Sequence, residues 1–151
     1  MKVIGDRMRI IKDFRAFTED GGGAKKIATL LINPCFHSVC LYRLSNLFYH
    51  MHLSILSKII WYLNRMLFHV DIDYRANLAG GFVLVHGLGT VIGKDVTSLG
   101  KLRVYQGVTL GGNQGKSAMI PQYDIIISQP LFEEDVIIFT GARACLKIMS
   151  F

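Results

Sequence analysis

The chain has 151 residues, 51% hydrophobic and 19% charged, with 17 Lys+Arg against 11 Asp+Glu. That length suits one domain, or one small domain with an appendage, and the aliphatic content excludes a disordered chain. Three cysteines, Cys35, Cys40 and Cys145, close no disulfide framework and match no zinc spacing. They point to a reducing cytoplasm and to no metal.

The first 26 residues are basic but lack the apolar core of a secretory signal. The longest uncharged apolar stretch, residues 27–42, is 16 residues long and is broken by Asn33-Pro34. A spanning helix needs roughly 18 or more. A soluble chain is expected, one able to touch a membrane surface peripherally. Residues 1–69 hold ten Lys/Arg and four Asp/Glu, while residues 70–151 hold seven of each. The excess positive charge therefore belongs to the front half, which favours an anionic surface such as lipid headgroups or a phosphate-linked substrate. A solvated helical face explains the same charge. No nucleic-acid motif accompanies it, so no nucleic-acid partner is expected.

In chain order, Met8, Ile11, Phe14 and Phe17 recur at helical spacing from Arg7 to Phe17, and Gly21-Gly22-Gly23 ends that element. Residues 24–32 and 35–51 read as two further helices separated by Asn33-Pro34. Residues 54–68 read as the last, with Ile55, Ile59, Tyr62 and Met66 on one stripe. This half is amphipathic, with enough aromatic side chains to pack against a partner. His37, His50 and His52 read as structural.

After Val70 the period changes to six. Ile72, Leu78 and Leu84 form one series, and Ala76, Phe82 and Leu88 a second. Both resume as Ile92, Ser98, Val104, Leu110 and as Val96, Leu102, Val108. They end as Phe132, Ile138, Ala144 and as Val136, Ala142, with only Ser98 out of character. Such a repeat predicts a parallel β-helix in which each hexad forms one face of a prism. The phase slips by two residues near His86, and a second break runs from Asn113 to about Gln129. Loops that leave a rigid repeat are where sites are built.

Three hexads make one turn, so Asp71 and His86, fifteen residues apart, are expected at the same corner. A carboxylate beside an imidazole fixes its tautomer and suits a general base, although a structural ion pair satisfies the same spacing. Gly111-Gly112-Asn113-Gln114-Gly115-Lys116-Ser117 is not a Walker phosphate loop, because it is one residue short and leaves a β-helix rung.

Val70-Asp71-Ile72, Leu84-Val85-His86-Gly87, Val91-Ile92-Gly93 and Tyr105 through Gly112 resemble the bacterial serine acetyltransferases of the hexapeptide acyltransferase superfamily. Asn33-Pro34, Leu41-Tyr42-Arg43 and Leu63-Asn64-Arg65 extend the resemblance into the front half. It covers residues from about 27 to 144 and is nearer the short forms of polysaccharide gene clusters than the long cysteine-biosynthetic enzymes. The resemblance implies an α+β chain: an N-terminal α-helical domain over residues 1–69, then a left-handed parallel β-helix over residues 70–151. It also implies a cytoplasmic homotrimer with sites between subunits, and acetyl-CoA as the co-substrate that acetylates a hydroxyl. His86 matches the catalytic base and Asp71 its partner. Gly111 and Gly112 match the cofactor channel, with Thr140 as a third cofactor-binding position.

Three features differ from the long enzymes. Val85 stands where they carry an Asp, and Ser128-Gln129-Pro130 where they carry the Arg-His-Pro that binds the serine carboxylate. The hexads stop at Ala144, so the β-helix is expected to be truncated at its C-terminus, with Phe151 unlike their final Ile. The acceptor is therefore serine or a sugar hydroxyl of a surface polysaccharide, with an inactive scaffold as the alternative from another class.

Overall fold

The computed structural model describes residues 2–112, 118–120 and 125–145. Four helices come first: α1 (Lys2–Thr18), α2 (Gly23–Ile32), α3 (Pro34–His50) and α4 (Ser54–Phe68). Pro34 opens α3 because its missing N–H falls where a helix has no partner for one, and the Asn33 side chain accepts from the Phe36 N–H at 3.1 Å. His69 closes α4 in the left-handed conformation, φ 56°, and its N–H bonds the Arg65 carbonyl.

Strands follow from Asp71 onward. β1 (Asp71–Ile72), β2 (Asn77–Leu78) and β3 (Val83–Val85) each open a different sheet. The chain returns to those sheets in the same order with β4 (Val91–Ile92), β5 (Thr97–Ser98) and β6 (Leu102–Tyr105). β7 (Thr109–Gly111), β10 (Leu131–Phe132), β11 (Val136–Ile138) and β12 (Arg143–Cys145) continue the winding. Every pair within these sheets is parallel. The exception is a hairpin outside them, β8 (Ala118–Ile120) with β9 (Ile125–Ile127), which is antiparallel. Three parallel faces around one axis form the expected prism.

The register locates both breaks in the repeat. Val91 pairs with Thr109, eighteen positions on, which is three hexads. Asp71 pairs with Val91, twenty on, so two extra residues lie in the corner between β3 and β4, at His86. Thr109 pairs with Arg143, thirty-four on, so sixteen extra residues leave the prism between β7 and β10 and carry the hairpin.

The prism interior holds Ile72, Leu78, Leu84, Ile92, Val104, Leu110, Ala76, Phe82, Val96, Leu102 and Val108, all at most 2% exposed. Burying one such Leu or Ile stabilises by about 1.5–3 kcal/mol. Leu88 departs from the expected series and is 63% exposed. The two-residue insertion carries it outward, and Thr90 takes the inward place, fully buried with its hydroxyl donating to the Tyr105 carbonyl at 3.2 Å. Ser98 does point inward, and its hydroxyl accepts from the Ala79 N–H at 3.0 Å, which removes the cost of a buried polar group.

Helix α3 lies on the open edge of the first coil and satisfies its backbone. Tyr42 Oη donates to the Ala76 carbonyl at 2.7 Å, and Asn46 Nδ2 to the Tyr74 and Ala76 carbonyls at 2.7 and 3.0 Å. Arg43 Nη1 and Nη2 donate to the Leu78 and Ala79 carbonyls at 2.6 and 2.7 Å. From α1, Asp13 Oδ1 accepts from the Gly81 and Phe82 N–H groups at 2.8 Å, while Arg43 Nε donates to Asp13 Oδ2 at 2.8 Å. Arg43 and Asp13 are both buried, so this pair pins α1, α3 and the prism together.

Candidate active site

The corner between β3 and β4 is built from residues 86–90. His86 adopts φ 62°, and Gly87 and Gly89 follow at 32° and 70°. A non-glycine residue held in the left-handed region costs free energy and persists where its surroundings impose it. Here the His86 carbonyl accepts from the Leu88 N–H, and Gly87 leaves room for the start of α3. A Cβ on Gly87 would meet Val70 Cγ2 at 3.2 Å and Cys35 Sγ at 3.6 Å. Burial raises the pKa of the Cys35 thiol, and a hydrogen bond with the His86 backbone offsets this in part.

His86 is exposed and lines a cavity of about 800 Å³ between the corner and the helices. Phe68 and Val70 form part of its wall, as do Val83, Leu84 and Val85, with Arg103 and Lys25 as cations. An imidazole at the mouth of a mostly apolar cleft can take a proton from a bound hydroxyl.

Asp71 begins β1 on the face that this corner feeds. Its Oδ1 accepts from Trp61 Nε1 at 2.9 Å, and its Oδ2 lies 3.3 Å from Arg65 Nη1. No hydrogen bond joins it to His86 among the described residues. Sequence reasoning missed Trp61 and Arg65 as the groups that hold this carboxylate, because helix-to-strand contacts leave no mark on a hexad pattern.

Two other residues stack above the corner that holds His86. The Gly107 N–H bonds the Leu88 carbonyl and the Gly141 N–H the Gln106 carbonyl, so Gln106 and then Thr140 follow this corner up the prism. Adjacent coils stand about 4.8 Å apart, which puts Thr140 roughly 10 Å from His86 along the axis. Gln106 was readable from the hexad phase but was passed over. Among the described residues its Oε1 is buried and without a hydrogen-bond partner, as is that of Gln129.

Gly111 and Gly112 lie at the far end of the β1–β4–β7–β12 face, away from the His86 corner. Among the described residues a Cβ on Gly111 would meet nothing within 4 Å, whereas one on Gly112 would stand 2.6 Å from Gln129 Nε2 and 3.0 Å from the Ser128 carbonyl. Of the residues singled out from the sequence, Asp71 adjoins the His86 corner through its N–H to the Thr90 carbonyl, Thr140 stands above that corner, and Gly112 lies beside Gln129. Residues 113–117 and 146–151, also singled out there, lie outside the described residues. Among the described residues no group of three His, Cys, Asp or Glu side chains could hold a metal ion.

The serine acetyltransferase of Synechococcus elongatus is 30% identical over 132 residues, covering 87% of this chain and 51% of the relative. The serine acetyltransferase of Neisseria gonorrhoeae in complex with serine superposes with a TM-score of 0.73 at 26% identity, covering 91% and 54% of the two chains. In sequence and in fold the chain is serine acetyltransferase-like. The Brucella abortus serine acetyltransferase in complex with coenzyme A has the same fold, with a TM-score of 0.74 at 24% identity, covering 92% of this chain and 53% of that one. The serine acetyltransferase-like chain spans about half the length of the curated relatives it matches. No family model matches it.

Proposed function

We propose that the chain is an acetyl-CoA-dependent O-acetyltransferase with His86 as general base. The observation that carries this reading is His86 itself, exposed in a strained corner at a large cleft, in a chain whose relatives are serine acetyltransferases. His86 takes the proton of the acceptor hydroxyl as its oxygen attacks the thioester carbonyl. The tetrahedral intermediate then collapses, the C–S bond breaks, and the leaving thiolate takes the proton back from the imidazolium. Asp71 keeps further lone pairs for the His86 N–H while Trp61 and Arg65 hold its carboxylate in place.

Acetyl-CoA carries the activated acetyl group, and its amide N–H groups suit the unpartnered acceptors of Gln106 and Gln129. The open space at Gly111 admits a ligand against the backbone, while Gly112 and Thr140 complete the channel. We further propose that residues 1–69 and 70–151 are separate domains and that the prism winds left-handed. The assembly is a cytoplasmic homotrimer whose basic front half is drawn to anionic surfaces.

Serine is the first acceptor to test. A sugar hydroxyl is the second reading, favoured because the cleft wall beside His86 is the apolar Val85 and because Ser128 and Gln129 are neutral. A zwitterion would find no charged partner on these three side chains. The test is thiol release from acetyl-CoA with serine and a panel of sugars, native chain against His86→Ala. Release should fall by about 10²–10⁴-fold in the variant with the fold unchanged. Release with sugars alone moves the acceptor class, and no release from folded native protein removes the enzymatic reading.

A further inference from the structure

The helices leave apolar side chains in solvent in an ordered pattern. On α4, Ile55, Ile59, Tyr62 and Met66 stand one above another, with Ile55 77% exposed. Helix α2 buries only Thr29 and exposes Ile27, Leu30, Leu31 and Ile32. Ile32 of α2 and Leu67, the residue after Met66 on α4, both line the cleft that holds His86. Apolar residues scattered singly over a surface carry no meaning, but runs of them along a helix mark a docking site.

Charge says what covers it. Residues 21–70 contain no Asp or Glu, whereas Lys25, Lys26 and Lys58 are exposed on the same two helices. Lys58 lies within the α4 stripe, three residues after Ile55 and four before Tyr62. A second copy seated face to face would oppose these cations with no carboxylate from either face to pair them. An anionic lipid surface accommodates both features. The apolar side chains enter the acyl boundary, the lysines extend to headgroup phosphates, and Tyr62 suits the boundary itself.

The seam between α3 and α4 frees the stripe for this role. Ser45 Oγ donates to the Ser57 carbonyl at 2.7 Å, and Ser57 Oγ to the Ser45 carbonyl at 2.8 Å. Asn64 Nδ2 donates to the Ser38 carbonyl at 3.1 Å. The hairpin is thus held by small polar residues, and the α4 stripe stays outside the seam. Among the described residues no single helix is long and apolar enough to cross a membrane. Helices α2 and α3 pass that test only as a pair bent by 61°, and α3 is bonded to the first coil. We propose that the α2–α4 face docks on, and does not cross, an anionic lipid surface.

The experiment is flotation of the full chain with phosphatidylcholine vesicles, with and without phosphatidylglycerol, alongside its mass by light scattering. Native protein should float with the anionic vesicles at least about tenfold better, and added salt should weaken this. The triple variant Ile55→Gln/Ile59→Gln/Met66→Gln should lose on the order of tenfold or more in binding at unchanged mass and circular dichroism. Lys58→Glu, a change at an exposed position, should lower the preference for phosphatidylglycerol and serves if the triple variant misfolds. Native protein that ignores anionic vesicles overturns the proposal. So does a triple variant that binds as native, or one whose assembly mass falls, since the face would then be covered by another copy.

Discussion

The prism and the helical layer bury opposite kinds of side chain. Inside the prism the large buried residues are Ile, Leu, Val and Phe, and the polar Ser98 is bonded to backbone. In the helices the buried set is Asp13, Thr18, Thr29, Ser38, Arg43, Ser45, Asn46, Ser57 and Asn64 beside Phe36, Val39, Tyr42 and Ile60. The apolar stripes of α2 and α4 face outward. The difference follows from what each region packs against. A coil stacked on another coil has its backbone satisfied by the neighbour and needs only apolar filling. The first coil has no coil before it, so α1 and α3 must supply donors and acceptors to its free carbonyls and N–H groups.

The largest test of this contrast is Asp13→Ala, which removes the carboxylate beside the buried Arg43 guanidinium and the acceptor of two backbone N–H groups. Thermal and urea unfolding should show a loss of about 3–5 kcal/mol. If the loss were only a few tenths, the polar cap would not hold the layers together. Next comes a matched pair of apolar truncations measured by the same unfolding curves. Leu102→Ala, inside the prism, should cost about 2–5 kcal/mol, whereas Ile59→Ser on the outer stripe should stay within about 0.5 kcal/mol. Equal costs would erase the distinction between the two faces.

A subtler effect comes from Tyr42, whose burial raises its pKa above the ordinary 10.0 even though Arg43 acts in the opposite direction. The neutral phenol is the form the fold holds. Its contribution is therefore full below pH 10.0 and declines as pH rises from there toward the folded value. Tyr42→Phe should start less stable, by about 1 kcal/mol for the lost hydrogen bond, yet its stability should fall less steeply above that pH. Parallel curves would show that the phenol titrates alike in the folded and unfolded chain, and that burial does not raise its pKa.

Much of the prism was legible because its period is enforced by packing. Each hexad face must present its residue inward, so Ile92, Val104 and Leu110 announce their places. The slip at His86 appears as the same two residues in the register. Leu88 was misread because a corner insertion changes which residue turns inward, and an aliphatic side chain there looks like core until the strands are paired. The α4 stripe was legible as a stripe, but periodicity records only that Ile55, Ile59, Tyr62 and Met66 share a face. Which way that face points depends on the cap that α1 and α3 make, and that cap joins residues far apart in sequence. Asp71 carries the same lesson at the site, since Trp61 and Arg65 reach it across a helix-to-strand junction.

The sequence by itself determined the repeat, its two interruptions, the four helices and the charge of the front half, because each is a local or periodic property. The tertiary structure alone decided that Arg43 and Asp13 are buried together, that Trp61 and Arg65 hold Asp71, and that the apolar faces of α2 and α4 look outward. These rest on contacts between distant segments, where the backbone groups left over by one element select the side chains of another.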